Sequence, residues 1–347
     1  MFLKKLFPKK TRIQINDIIK KINFLYYKTK SYDIYWNNEY EKLFLEKNFG
    51  DITKLPDFIE KYQQLITGLD KESIDCVAKI IYNIKIIVNT KDCTVDLFSQ
   101  NEKNKLKELE DEFYSRIYRI DDNVFIYNKY ILPINHFEPS VFYYKHGISH
   151  LNDIKRVESS TVLDIGGFIG DSALVFSELN PSRIITFEPV TENISLMKKT
   201  IELNRKDNIT IENIALIDRI GKTSISISGS ESSLVKTKPT EYNQTIEIET
   251  TTLDHYVNTN DIKNISLIKV DIEGAEQAFL KGAEQTIRRF KPILLISIYH
   301  NADDFFSIKP MIERWNLGYI FTIHKPTFGN STSEILLIAE TPNHFNK

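Results

Sequence analysis

The sequence predicts an α/β fold: a Rossmann-like, mostly parallel sheet with helices on both faces, preceded by a mainly helical N-terminal region. Three observations carry this. From about residue 160, short and nearly continuous apolar runs alternate with helix-period segments, the pattern of parallel strands buried on both faces. The first run ends in an acid and a glycine pair before a helix-like stretch, "TVLDIGGFIGDSALVF" at 161–176. Before about residue 130, glycine-rich turns are missing and apolar residues recur at helical spacing, which argues for amphipathic helices.

In chain order, Ile15, Ile18, Ile19, Ile22 and Leu25 form the first helical stripe. A second helix is predicted over 70–89 with Asp70 as N-cap. A third, charged helix over 101–120 carries Leu106, Leu109, Phe113 and Ile117 as its stripe. These stripes read as core. Residues 1–135 therefore form a helical region and 136–347 the α/β domain. The predicted parallel strands are 161–165, 183–188, 208–214, 266–271 and 293–299. "KTSISIS" (222–228) and "QTIEIET" (244–250) alternate with period two and are expected as an antiparallel pair on one edge of the sheet. The long Ser- and Thr-rich stretch joining them, 227–244, is expected as a flap over the site. "GYIFTIH" and "SEILLIAE" read as a closing hairpin.

A chain of 347 residues, 41% hydrophobic, is long enough for about two domains. Its formal net charge of −2 lacks the basic footprint of a nucleic-acid binder. No run approaches the ~20 apolar residues of a membrane span. The basic start "MFLKKLFPKK" is followed by no apolar region of signal-peptide length, so it reads as a solvated end. Cys76 and Cys93 have neither metal-ligand nor disulfide-framework spacing, which fits a reducing cytoplasm.

The turn after the first strand has the order D-x-G-G-x-x-G, with Asp164, Gly166, Gly167 and Gly170. A dinucleotide fingerprint would need glycine where Ile165 stands, so an NAD-dependent oxidoreductase is disfavoured. An acid at the strand end opposes a pyrophosphate and suits a ligand bearing an amine. Glu188 follows Asp164 by 24 residues, near the offset at which an acid meets ribose hydroxyls in such units. Ribose plus an amine without phosphates is the chemistry of S-adenosylmethionine.

The blocks "VLDIGGFIGDSA", "ITFEPVTENISLMKKTIELN", "IENIALIDRIGKTSI", "ETTTLDHYV" and "LIKVDIEGAEQAFLKGAEQTIRRFKPILLISIYH" resemble, in order, those of FkbM-type methyltransferases over about residues 157–340. The resemblance implies a seven-stranded methyltransferase sheet and S-adenosylmethionine-dependent methylation of a hydroxyl on a sugar, glycan or natural product. It implies that Gly166, Gly167 and Gly170 lie in the cosubstrate loop beside Phe168, Asp171 and Ser172. Glu188 falls at the ribose position, Asn213 and Ala215 beside the adenine, and Asp271 and Glu273 in the D-x-E-G block. The first ~150 residues share no motif with the family, which leaves the acceptor open.

Asp271 ends a strand at the expected crevice, whereas Glu273 and Glu276 also suit helix-start charges. His300 follows the fifth strand, His324 lies at a hairpin turn, and His136, His146 and His150 lie just before the cosubstrate loop. The expected catalytic set is Asp271, His300 and Glu273, with His300 as the base near neutral pH. Asp271, His300 and Asp303 or Asp304 have no fixed ligand spacing, so no metal is assigned. The expected partner is a small-molecule or glycan hydroxyl acceptor, with no nucleic acid. The alternative is a non-catalytic binding or scaffold module of the same fold, whose helical half recruits a partner.

Overall fold

A computed structural model describes residues 38–90, 96–228, 231–233 and 244–342. The expected stripe at 15–25, the basic start, Cys93 and most of the expected flap lie outside the described residues.

The main sheet is built from strands whose side chains are apolar on both faces. In β4 (Thr161–Ile165), Val162, Leu163 and Ile165 are all buried. Helix α6 (Asp171–Phe176) leads to β5 (Arg183–Phe187), and α7 (Thr191–Leu203) leads to β6 (Ile209–Glu212). The chain then returns across β4. Strand β11 (Leu267–Val270) pairs parallel with β4, and β12 (Ile293–Ser297) pairs parallel with β11. The hairpin β13 (Ile320–His324) and β14 (Leu336–Glu340) closes the edge, with β14 antiparallel to β12. The order β13-β14-β12-β11-β4-β5-β6 reverses direction between β4 and β11, the switch point where such sheets bind ligands.

Two features differ from the expectations. Strands β8 (Gly221–Ser228) and β10 (Gln244–Thr251) do pair antiparallel. They belong to a separate sheet, ordered β7-β10-β8-β9 with β7 (Ala215–Leu216) and β9 (Glu231–Ser233). Their period-two pattern gives one apolar face, and Ile225 and Ile248 bury it with Val190 and Ala215 in a small core of their own. The other difference lies within the region read as helical. Strands β1 (Ile117–Asp121), β2 (Val124–Tyr127) and β3 (Tyr130–Leu132) form a meander. Its second turn carries Asn128 at a φ of 52°, a left-handed conformation that asparagine tolerates. Helix α4 (Gln100–Glu112) therefore stops before Ile117, with Phe113 as its C-cap; a Ser99–Glu102 capping box opens it, satisfying two orphan donors reciprocally.

Helices α1 (Asn38–Asn48), α2 (Phe58–Ile66) and α3 (Lys71–Asn89) form as the apolar spacing demands. The Asp70 carboxylate accepts from Ser73 N–H at 2.7 Å, capping α3. Their buried faces do not close on themselves. Leu45, Ile80 and Ile84 share one apolar cluster with Phe305 of α10 (Ala302–Glu313), Phe321 of β13 and Leu163 of β4. Lys309 Nζ donates to Thr67 O at 2.6 Å, and Ile323 N–H donates to Ser73 Oγ at 2.9 Å. The division at residue 135 is one of sequence pattern, and the core runs across it. Burying each such side chain is worth about 1.5–3 kcal/mol. A chain beginning at residue 136 is therefore expected to lose cooperative unfolding in calorimetry. A sharp transition near that of the full chain would show that the sheet stands without these helices.

Candidate active site

A cavity of about 390 Å³ opens beyond the carboxyl ends of β4, β5, β11 and β12, at the switch point. At its floor, the turn after β4 passes very close to the chain leaving β11. Gly166 has a φ of 82°, and a Cβ there would lie 1.9 Å from Asp271 O, so only glycine fits. Gly167 and Gly170 serve packing instead: side chains there would strike Thr186 and Met197. Phe168, at a φ of 43°, lines the cavity with the His136 ring 4.8 Å from its own.

Glu188 follows β5 and is 5% exposed. Its Oε1 accepts from Val190 N–H at 2.9 Å and Asn193 Nδ2 at 3.2 Å, and its Oε2 from Phe168 N–H at 3.0 Å. A carboxylate has about four acceptor sites, so one remains, on Oε2, for a ligand hydroxyl. Burial pushes the Glu188 carboxyl up to about 7, against those hydrogen bonds and the Lys269 charge.

The other end of the cavity is acidic. Asp271 follows β11; then Glu273 and Gly274 take left-handed φ values of 58° and 96°. Glu273 therefore sits in a strained turn rather than at a helix start, and α9 (Glu276–Phe290) begins two residues later than Gly274. Such a non-glycine residue costs on the order of 1–3 kcal/mol, a device found at functional sites. Glu276 is wholly buried and accepts from Ile272 N–H at 2.8 Å. His300, 6% exposed, lies among these acids. Its Nδ1 is 3.0 Å from Glu276 Oε1; its Nε2 is 3.3 Å from Asp271 Oδ1 and 3.6 Å from Glu273 Oε2. Burial pulls the His300 pKa down, but the Glu276, Glu273 and Asp271 charges outweigh it and hold the ring well above the usual histidine range. These neighbours favour the protonated ring, which argues against its acting as a free base there.

Gly166, Phe168, Asp171, Ser172 and Glu188 line the cavity, as do Ala215, Asp271, Glu273 and His300. Asp164, Gly167, Gly170 and Asn213 are not brought to it. Asn213 is exposed and its amide donates to Glu188 O and Pro189 O; its neighbours Ile214, Ala215 and Leu216 form the apolar wall. Asp164 is fully buried and meets an ammonium of the protein itself, Lys269 Nζ at 3.2 Å, while Ser172 Oγ donates to it at 2.7 Å. Asp303 and Asp304 are held by Gln277. His150 and His324 lie against each other with tilted rings, their centres 3.8 Å apart.

Lys269 was missed by the sequence reading. It lies 4% exposed inside an otherwise apolar strand, in register with Asp164. Burial pulls its pKa down, but the Asp164, Asp271 and Asp171 charges more than reverse this and hold the ammonium above its usual range. Also unforeseen were Glu41 and Phe44 of α1, and Tyr299, Phe328 and Glu334, all of which line the cavity. Tyr299 donates to Glu334 Oε1 at 2.8 Å.

Residues 164–327 match the family described as the methyltransferase FkbM domain. No curated protein matches the sequence. Among solved structures, the chain is similar to methyltransferase FkbM from Methylobacillus flagellatus KT, with a TM-score of 0.50 and 18% identity, over 81% of this chain and 58% of that one. The chain thus spans less than two thirds of that protein's length, and the likeness is one of fold. Weaker likenesses include the O-methyltransferase from Bacillus cereus in complex with SAH (TM-score 0.37, 11% identity, 60% of this chain and 84% of that one). Another is an rRNA methylase from Streptococcus thermophilus (TM-score 0.36, 13% identity, 57% and 95%).

Removing one partner of a buried ion pair costs about 3–5 kcal/mol, whereas replacing both by apolar groups is often neutral. Lys269→Met is therefore expected to lower unfolding free energy by about 3–5 kcal/mol in urea titrations. The double variant Asp164→Leu/Lys269→Met is expected to recover most of that loss. A wild-type midpoint for Lys269→Met would show that the pair does not constrain the fold.

Proposed function

We propose, from the match of residues 164–327 to the methyltransferase FkbM domain, that this chain uses S-adenosylmethionine to methylate a hydroxyl of a sugar, glycan or natural-product acceptor. One observation carries the reading: the cavity at the switch point joins a backbone cradle at Gly166, with an open acceptor site on Glu188, to an acidic end at Asp271, Glu273 and His300. When bound, the cosubstrate supplies an electrophilic methyl on a sulfonium, whose departure as a neutral thioether completes the transfer. The residues fit it. Glu188 receives a ribose hydroxyl on Oε2, Ile214 to Leu216 flank the base, and Gly166 lets the chain approach closely.

The acceptor oxygen must face the methyl in line, and its proton must leave as the O–C bond forms. Positioning supplies much of the rate. The Asp271–Glu273–His300 end serves the loss of that proton. Seven carboxylates line the cavity against a single lysine among the described residues. That balance suits a sulfonium and a neutral or cationic acceptor and opposes a phosphate backbone, which basic side chains attract. The domain reading and this wall favour catalysis over a scaffold role. Among the described residues, no helix is long and apolar enough to cross a membrane. A cytoplasmic setting, read from the two cysteines, belongs to the same proposal.

His300→Ala is expected to lower turnover at least about 100-fold, the scale of misplacing the acceptor oxygen, with S-adenosylmethionine affinity nearly unchanged by calorimetry. Asp271→Ala is expected to weaken both. Wild-type turnover in His300→Ala would move the chemistry elsewhere in the cavity.

The Glu188 carboxyl titrates near 7 in the free site, and its ionised form is the better partner for a ribose hydroxyl and a nearby cation. Ionisation rises with pH, so affinity for S-adenosylmethionine is expected to rise about tenfold between pH 6 and 8, one pKa unit's worth of protonation at the lower end. Glu188→Gln should flatten that rise relative to wild type, and Glu188→Ala should weaken binding by about 1.5–3 kcal/mol, the scale of charged hydrogen bonds. Equal pH slopes in wild type and Glu188→Gln would remove Glu188 from the ribose role.

A further inference from the structure

Both ring nitrogens of His300 are buried without a hydrogen-bond partner, and each faces carboxylate oxygens. Nδ1 faces Glu276, which is wholly buried and fixed by Ile272 N–H. Nε2 faces Asp271 Oδ1 and Glu273 Oε2 at the cavity wall. His300 is more than nine-tenths buried, yet Nε2 has no hydrogen-bond partner, and neither has the buried Asp271 Oδ1 3.3 Å away. Buried polar atoms are nearly always paired, and an exception calls for an explanation such as an ion. Ligand atoms of Asp271, Glu276 and His300 all lie within 4.8 Å of one another.

We propose that Asp271, Glu273 and His300 Nε2 bind a divalent cation, with Glu276 holding the imidazole through Nδ1. The spacing suits this. Oxygen and nitrogen ligands about 2.1 Å from an ion and at right angles sit about 3 Å apart. The 3.3 Å contact reaches that by a small side-chain rotation; Glu273, 3.6 Å from Nε2 but outside the group whose ligand atoms all lie within 4.8 Å of one another, closes on the ion by a larger one. A ligating histidine usually gives its other N–H to a carboxylate, which fixes the ring, and Glu276 is in that place. Two carboxylates and one imidazole, with positions left open toward the cavity, favour a hard or borderline ion such as Mn²⁺ or Mg²⁺. The ligands come from a D-x-E turn and a residue 27 positions further on, a spacing with no metal signature in sequence.

The role of the ion rests on the methyl-transfer reading; its binding does not. Held there, the ion takes the acceptor oxygen as a further ligand. The hydroxyl proton then passes to a cavity carboxylate that does not hold the ion; Glu138 and Glu334 line the same cavity. The O–C bond forms as the S–C bond breaks, and the thioether leaves.

The test is a Mn²⁺ titration of the full chain, freed of metal by chelator dialysis and without cosubstrate, followed by loss of the free-ion electron paramagnetic resonance signal. One site per chain is expected, at least tenfold weaker in His300→Ala and in the near-isosteric Asp271→Asn, and unchanged in Asp303→Asn. Circular dichroism melts establish that each variant is folded, and Asp271→Asn decides the matter if His300→Ala is not. Failure of Mn²⁺ to bind, or binding that survives both substitutions, overturns the proposal. Separate calorimetry with S-adenosylmethionine keeps the two readings apart: cosubstrate binding without Mn²⁺ sinks only the ion, and Mn²⁺ binding without cosubstrate sinks only the methyl-transfer reading.

Discussion

Lys269 and Asp164 face each other across the two central strands, and the geometry of the site hangs on that contact. Each is buried in a strand that is otherwise apolar. The ammonium also donates to Gly166 O at 2.6 Å, so one side chain ties β11 to β4 and to the turn leaving β4. Ser172 and Thr186 direct their hydroxyls at Asp164, which adds α6 and β5 to the same node. A buried ion pair is weak evidence for stability, because desolvation offsets much of the attraction. Its consequence here is positional: it holds the Gly166 turn against Asp271 O, where nothing larger than glycine fits. The floor of the cavity is therefore set by electrostatics that no ligand has to supply.

The same charge bears on the rest of the cavity. Lys269 lowers the Glu188 carboxyl and acts on Asp171, yet one ammonium, already paired with Asp164, is too little for the acids that remain. The protein meets that excess by burial, which drives Glu188 and Glu334 up to about 7, and by the imidazole of His300 wedged among three carboxylates. A cavity arranged in this way gains whenever positive charge enters it. A sulfonium at one end and a metal ion at the other are two forms of the same electrostatic demand, and they draw on different acids.

What the sequence made legible was local. The D-x-G-G turn, the five apolar runs and the acid after β5 are each contained in a few residues; the runs form strands, and Gly166 and Glu188 line the cavity at the switch point. What it hid depends on neighbours distant in the chain. Lys269 inside "LIKVD" is a lone charge whose meaning appears only when β11 lies beside β4. Asp164 was assigned to a ligand amine because its partner could not be seen, though two orphan charges in two buried strands were a usable signal. The meander at 117–132 was lost because a charged helix runs directly into it, and helix and strand periods overlap there. Asn213 was matched to the adenine wall by motif position, whereas its side chain turns back to the carbonyls of Glu188 and Pro189.

The two ends of the cavity are built differently. The Gly166–Glu188–Leu216 end comes from one continuous βαβαβ stretch, so its residues keep fixed spacings. The acidic end gathers Glu41 and Phe44 from α1, Glu138 before α5 (Pro139–Phe142), the D-x-E turn, Tyr299 and His300, and the segment 328–334. Glu41 is central to that assembly. It is 5% exposed and accepts from Ser331 N–H at 3.0 Å and from Thr332 Oγ1 at 2.7 Å, so a helix from the motif-free N-terminal region fixes the loop that carries Glu334 to the cavity. Asn83 of α3 adds a longer contact to Ser331 O. The apolar core shared by α1, α3 and β13 is thus the support on which this end of the cavity is mounted. The part of the chain with no recognisable motif acts on the site through packing, which leaves no spacing pattern to read.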